Sequence, residues 1–276
     1  MSIDRWPIPG LGEDESLQSL VSRAECFFDC RPGYLWKTLR EGEGDIGTPD
    51  APTPQAVIRL AGRLDCSPSE VARHRLTEAR DVLVAAGRVA YCPTCWKEDL
   101  DAKRPVAFRR QWAHVCAVLC SRHATPLIYW RMRQGAKGRK VTTGEVDIAC
   151  EALASMTTQP GFNATMKHLA AFAEQLHACL YSEARTAASW RRNPKTLLRD
   201  IAAALTDQEL RTGLWSTAIP LRWQGFVHVG RAPMSVAVDG PWQTLRQATD
   251  PGMRRAALWY GLSLARPDIV LGPEAA

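Results

Sequence analysis

Four residues of this chain have the types and spacing to hold a metal ion. Cys92-Pro93-Thr94-Cys95 is a pair of thiols two residues apart, with proline in the intervening turn. That spacing lets both sulfurs face one ion while the turn amides point toward them. Cys120-Ser121-Arg122-His123 repeats the spacing with an imidazole in second place, after 24 intervening residues. Three sulfurs and one imidazole complete a tetrahedral zinc shell of the closed, structural kind, so one structural Zn2+ is expected. Three thiolates around a divalent ion leave one net negative charge, which Arg109, Arg110 and Arg122 are placed in the sequence to offset.

Other readings of the same residues compete. A lone Cys-x-x-Cys also serves redox enzymes, but the strand-then-helix setting of a thioredoxin motif is missing here. His114 and Cys116 lie close enough to Cys120 to replace one of the four ligands. Both read better as part of a strand leading into the second knuckle, with Cys116 as a small apolar filler. A catalytic zinc needs an open coordination position and a nearby acid, and Glu98 is the only close acid of that type. No Gly-rich phosphate loop and no supported acid pair or nucleophile occurs, so the chain is not expected to be an enzyme.

The elements that must position the knuckles follow from composition and pattern. At 276 residues the chain has room for one large or two modest domains and a full hydrophobic core. Its 46% hydrophobic and 23% charged residues are those of a globular protein rather than a disordered one. No apolar run is long enough to span a bilayer, and the N-terminus lacks a signal-peptide pattern. The expectation is a soluble, cytoplasmic, nucleoid-associated protein that does not meet a membrane. Nine cysteines without a secretory signal then argue for metal ligation rather than disulfides. The net charge of +6 is uneven: residues 1–50 carry −5 and residues 91–150 carry +6. A basic middle points to a polyanion such as DNA, and 28 of the 35 cationic residues are arginine, suited to bidentate phosphate contacts.

Along the chain a helix starts near Ser16, a short one covers Tyr34 to Arg40, and residues 41–53 are a polar Gly/Pro loop. Pro54–Leu64 shows one apolar face, and Ser67-Pro68-Ser69-Glu70 then forms a capping box that opens another helix. Two helices so closely joined are either a helix-turn-helix or an ordinary helical hairpin. In the first case Arg73, His74 and Arg75 are the solvent-facing, DNA-reading groups. Residues 91–130 crowd cysteines, aromatics and arginines, with an alternating stretch at Trp112–Leu119. Residues 131–145 read as an exposed basic loop or hairpin, adding Arg131, Arg133, Lys137, Arg139 and Lys140 as DNA-binding candidates. Helices are then expected through Met166–Leu180, from Pro194, and from Pro251 as the last element, with a short hairpin within residues 216–240. The fold class is mainly α. It divides into a helical, helix-turn-helix-like region (1–90), an inserted zinc-ribbon-like module (91–130), and a basic loop with C-terminal helices (131–276).

These residues also resemble a known family. Glu15, Ser16, Leu17, Ser19 and Arg23 match the opening of TniQ-family proteins, although Leu20 stands where tryptophan is usual. Cys92, Pro93, Cys95, Arg109, Trp112, Cys120, His123 and Leu127 follow in the family's order and spacing. Many members add a further Cys-x-x-Cys after the histidine. This chain has IYWRMRQGAKGRK there, which argues against a second zinc site. The resemblance implies a non-catalytic target-selection adaptor of a DNA transposition system, working beside a transposase and an AAA+ ATPase. In some systems such adaptors sit on an RNA-guided CRISPR complex, and a homodimer is compatible with the role. The alternatives are a zinc-containing helix-turn-helix transcription regulator and, less favoured, a zinc-dependent nuclease or recombinase.

Overall fold

The computed structural model describes residues 5–8, 10, 12–40, 44–76, 82–84, 88, 90–129, 141–158, 161–181, 190–206, 240–248 and 251–271. It is mainly helical, as the sequence pattern implies. The described residues divide into two compact units. One takes those of 1–79, 93–111 and 130–150, the other those of 80–92, 112–129 and 151–276.

The first unit begins with α1 (Leu17–Phe27), where the Ser16 side chain accepts the Ser19 amide as N-cap. Its apolar face buries Leu17, Val21 and Ala24 against Leu35 and Trp36 of α2 (Tyr34–Thr38) and Val57 and Leu60 of α3 (Pro54–Leu64). Asp65 turns the chain in the left-handed region at φ 55°, and α4 (Pro68–Arg73) follows. Both bonds of the capping box form: the Ser67 hydroxyl accepts the Glu70 amide, and the Glu70 carboxylate accepts the Ser67 amide. The 41–53 loop is less passive than its composition suggests. Asp50 is buried and accepts the Gln18 amide at 2.9 Å, capping α1 from outside the helix.

Buried charge organises this unit. Glu15, 1% exposed, accepts from the Ser19 hydroxyl (2.9 Å), from Arg23 Nε (2.8 Å) and Nη2 (2.7 Å), and from the Gly12 amide (3.1 Å). Ser19 Oγ in turn accepts the Phe108 amide at 3.0 Å, and the Ser16 amide donates to Phe108 O. Glu25 is buried as well. It accepts the Leu35 amide at the start of α2, but burial pushes its carboxyl above the usual range, against the pull of the Gly33, Leu35 and Trp36 amides.

The helix α5 (Pro93–Asp101) also belongs to the first unit. Its Trp96 is fully buried, donates Nε1–H to Ala107 O at 3.1 Å and meets Phe108 edge-on. One more helix, α6 (Thr143–Thr157), starts inside the expected basic loop. Thr142 and Glu145 exchange capping bonds there, so helix replaces loop from residue 143.

The second unit packs α7 (Phe162–Tyr181), α8 (Pro194–Thr206), α9 (Pro241–Gln247) and α10 (Pro251–Ala265) around one apolar core. The short α11 (Pro267–Leu271) follows, so α10 is not the last helix. The Trp112–Leu119 stretch opens as a 3-10 turn over Arg110–Ala113 instead of an alternating strand, and His114 and Leu119 make only isolated bridges. The hairpin expected within residues 216–240 lies outside the described residues, apart from Gly240.

Gly261 of α10 lies where that helix closely approaches Ile201 of α8 and Phe172 of α7. A Cβ there would lie 2.5 Å from Ile201 Cδ1 and 3.2 Å from Phe172 Cζ. On α3, by contrast, a Cβ on Gly62 would meet no atom within 4 Å. Gly261→Val is therefore expected to lower unfolding stability by roughly 1–3 kcal/mol through overpacking. Gly62→Ala should raise it by about 0.5–1 kcal/mol through helix propensity. Denaturant unfolding of the two variants should show these opposite signs.

Candidate metal centre

Two short strands and one helix start set the first pair of thiols. β1 (Ala90–Tyr91) pairs antiparallel with β2 (Ile128–Tyr129), with Ala90 opposite Tyr129 and Tyr91 opposite Ile128. Cys92 follows β1 directly and α5 begins at the next residue, so a strand does lead into a helix here, against the sequence expectation. It is the approach of Cys120 and His123 that sets the pair apart from a redox dithiol. Pro93 has no amide to lose at the first helical position, and Cys95 lies in the first turn. The amides of a helix N-terminus favour negative charge, so this is a good place for thiolates.

The second knuckle is a closed turn. The Cys120 amide donates to Thr125 O at 2.8 Å, and the Ala124 amide donates to Cys120 O at 2.8 Å. Ala124 adopts φ 52°, which reverses the chain just after His123. On either side, Leu119 bridges Pro126 and the Leu127 amide donates to Val118 O at 3.0 Å. Arg255 of α10, buried at 6% exposure, braces the same backbone. Its Nη1 donates to Leu127 O at 2.6 Å and to Val118 O at 3.4 Å.

The result is a cluster. One ligand atom each from Cys92, Cys95, Cys120 and His123 lies within 4.8 Å of the others, and the three cysteines are buried. Among the described residues no other set of three or more His, Cys, Asp or Glu is so placed. His123 turns Nδ1 toward the sulfurs, 3.5 Å from Cys92 Sγ and 3.7 Å from Cys120 Sγ. Bond lengths of about 2.3 Å to sulfur and about 2.0–2.1 Å to nitrogen place such atoms about 3.6 Å apart across a tetrahedral ion. The donor set and its spacing fit a four-coordinate metal site with every position taken by protein.

His114 and Cys116 stand outside this group. His114 forms a backbone bridge with Val82, and Cys116 packs against the apolar core of the second unit. Arg109 and Arg110 are engaged with carboxylates: Arg109 with the buried Asp99 at 2.6 Å, and Arg110 with Asp14 at 3.2 Å and with Arg73 O. Of the other thiols, Cys30 and Cys66 are pushed up by burial and by nearby carboxylates, Glu25 and Asp29 in one case and Glu70 and Asp65 in the other. Neither has the electropositive setting of a reactive cysteine.

The DNA-binding candidates divide three ways. Arg73, the last residue of α4, and Arg75 are exposed. His74 is not solvent-facing: it is buried, with Nδ1 2.8 Å from Glu15 O, because it follows the short α4 back toward the start of α1. Arg131, Arg133, Lys137, Arg139 and Lys140 lie outside the described residues. In the acidic opening Glu15 is sequestered by Arg23 and Asp14 is paired with Arg110, while Glu13 is exposed. Sequence reasoning missed Arg255, whose only signal is a charged pair, Arg254-Arg255, inside an otherwise apolar helix.

No described helix is long and apolar enough to cross a membrane. No curated protein and no solved structure matches the chain. The TniQ family model does match, from residue 7 to residue 127. That span holds the Glu15–Arg23 network and all four clustered ligands. Residues 7–127 of this chain are thus similar to the TniQ family, whose proteins are associated with target selection in DNA transposition.

Proposed function

We propose that the chain is a non-catalytic adaptor that chooses where a transposon inserts. It would hold target DNA, or an RNA-guided targeting complex bound to DNA, against the transposition ATPase and transposase. The observation that carries this reading is a TniQ match whose clustered ligands form a closed shell. Cys92, Cys95, Cys120 and His123 hold one Zn2+, the ion that thiolate and imidazole in tetrahedral array favour. With four protein ligands the ion supplies cross-linking, leaving no open position for water or substrate. The residues around it do the positioning: the Cys120–Thr125 turn and the Arg255 brace fix a rigid surface that a partner can dock on.

In this reading residues 1–90 supply a helical face for DNA, residues 91–130 the zinc module, and residues 131–276 a basic loop and a helical platform for partners. The protein works in the cytoplasm on the nucleoid, alone or as a homodimer. Arg73 and Arg75 meet phosphates, joined by Arg131, Arg133, Lys137, Arg139 and Lys140. His74 holds α4 in place rather than touching DNA. A helix-turn-helix transcription regulator is the second reading, favoured by the packed pair α3 and α4 and their three-residue turn.

Three outcomes test this. Purified protein should contain about one zinc per chain. Cys92→Ser or Cys120→Ser should lose both metal and solubility, and Cys26→Ser should retain them. Duplex binding should weaken steeply with salt, and the double change Arg73→Ala/Arg75→Ala should flatten the log–log salt slope by about two. Deleting the gene should redistribute or abolish targeted insertions while purified transposase still joins strands. An unchanged insertion map, with transcription altered at a nearby operator instead, would favour the regulator.

A further inference from the structure

We propose that Thr125 is a positioning residue of the metal centre, its hydroxyl donating to the Cys92 sulfur and so governing how firmly the ion is retained. This rests on the zinc reading above. Thr125 Oγ1 lies 3.2 Å from Cys92 Sγ. A metal-bound thiolate carries no proton, so in the loaded site the hydroxyl is the donor and the sulfur the acceptor. The same residue offers its carbonyl to the Cys120 amide at 2.8 Å. One threonine therefore touches a ligand from each knuckle, the Cys92 side chain and the Cys120 backbone.

The backbone delivers that hydroxyl independently of the ion. Ala124, at φ 52°, turns the chain so that Thr125 comes back over Cys120. Pro126 is held by its bridge to Leu119, and Leu127 by Val118 and by Arg255 Nη1. A donor fixed in this way costs little ordering when the metal binds. It also meets an electrostatic need. A shell of three thiolates and one imidazole is one charge negative; Arg109 and Arg110 are already paired with Asp99 and Asp14, and Arg122 is exposed, where water weakens its effect. Oriented dipoles can supply the compensation: a hydroxyl that donates to Cys92 stabilises the thiolate and leaves the sulfur a weaker target for protons and electrophiles, the agents that release it from the ion.

The test uses the full chain with Thr125→Val and Thr125→Ser. Valine keeps the β-branched shape and removes only the donor, whereas serine keeps the donor. Zinc transfer from loaded protein to excess chromogenic chelator is expected to favour the chelator 10–100-fold more for valine, and within about twofold of wild type for serine. In Co2+-substituted protein the thiolate-to-cobalt charge-transfer band should move to lower energy for valine alone. The visible bands that report four-coordinate geometry should stay in place, separating hydrogen-bond loss from a disrupted fold. Equal retention by valine and wild type, or a serine variant as weak as valine, would overturn the role of Thr125 while leaving the zinc site standing. A wild type that takes up neither zinc nor cobalt would overturn both.

Discussion

Three cysteine sulfurs and an imidazole nitrogen held within 4.8 Å of one another set the constraint on which the middle of this protein depends. As thiolates at that separation the sulfurs repel one another, and as thiols they have no reason to converge. A cation between them would make the arrangement favourable. The neighbouring elements are too slight to impose it. β1 and β2 are two residues each, and a two-stranded ribbon of that length has no stability of its own. The turn at Cys120–Thr125 bends through a non-glycine residue in the left-handed region, a conformation that costs about 1–2 kcal/mol and persists only where surrounding contacts fix it. The Cys120–Thr125 hydrogen bond, the Leu119–Pro126 bridge and the buried Arg255 are those contacts.

The TniQ opening motif has a different physical basis. Glu15, Ser19 and Arg23 lie one helical turn apart in succession, so α1 presents them in line, and Glu15 receives Ser19 and Arg23 together. Ser19 passes the connection to the Phe108 amide and Glu15 O to His74. The motif therefore ties the start of α1 to two segments distant in sequence, and its role is structural. A buried carboxylate left without its guanidinium partner costs several kcal/mol, so the two residues must be kept or lost together. Within the opening segment the charges of Glu15 and Asp14 are matched internally, by Arg23 and Arg110.

The ligand set, the apolar helix faces and the Ser67–Glu70 capping box were legible because each has a fixed spacing. Metal geometry demands two-residue gaps, helix packing demands three- and four-residue repeats, and a capping box puts serine and glutamate three apart. The same rule, applied to Thr142 and Glu145, would have placed the start of α6, which was read as loop because its neighbours are basic and glycine-rich. What stayed hidden is buried polarity. Asp50, His74, Asp99 and Arg255 have no periodic signature, since each is buried by a partner remote in sequence, and single-residue hydropathy assigns all four to solvent.

These hidden residues bear on function as much as the visible ones. In the proposed role a surface that holds partners in register cannot rest on loops free to rearrange, and this chain directs several buried or half-buried charges at loop backbone. Arg255 grips the strands around the second knuckle, Arg246 of α9 donates to Val82 O at 2.7 Å, and Asp50 holds the Gln18 amide from a loop. An enzyme concentrates such groups where a substrate reacts. Here, among the described residues, Arg255, Arg246 and Asp50 are directed at main-chain amides and carbonyls, while Glu15 and Asp99 pair with arginines. Geometry of this kind holds the chain's own backbone in place, which is the property the proposed adaptor role would draw on.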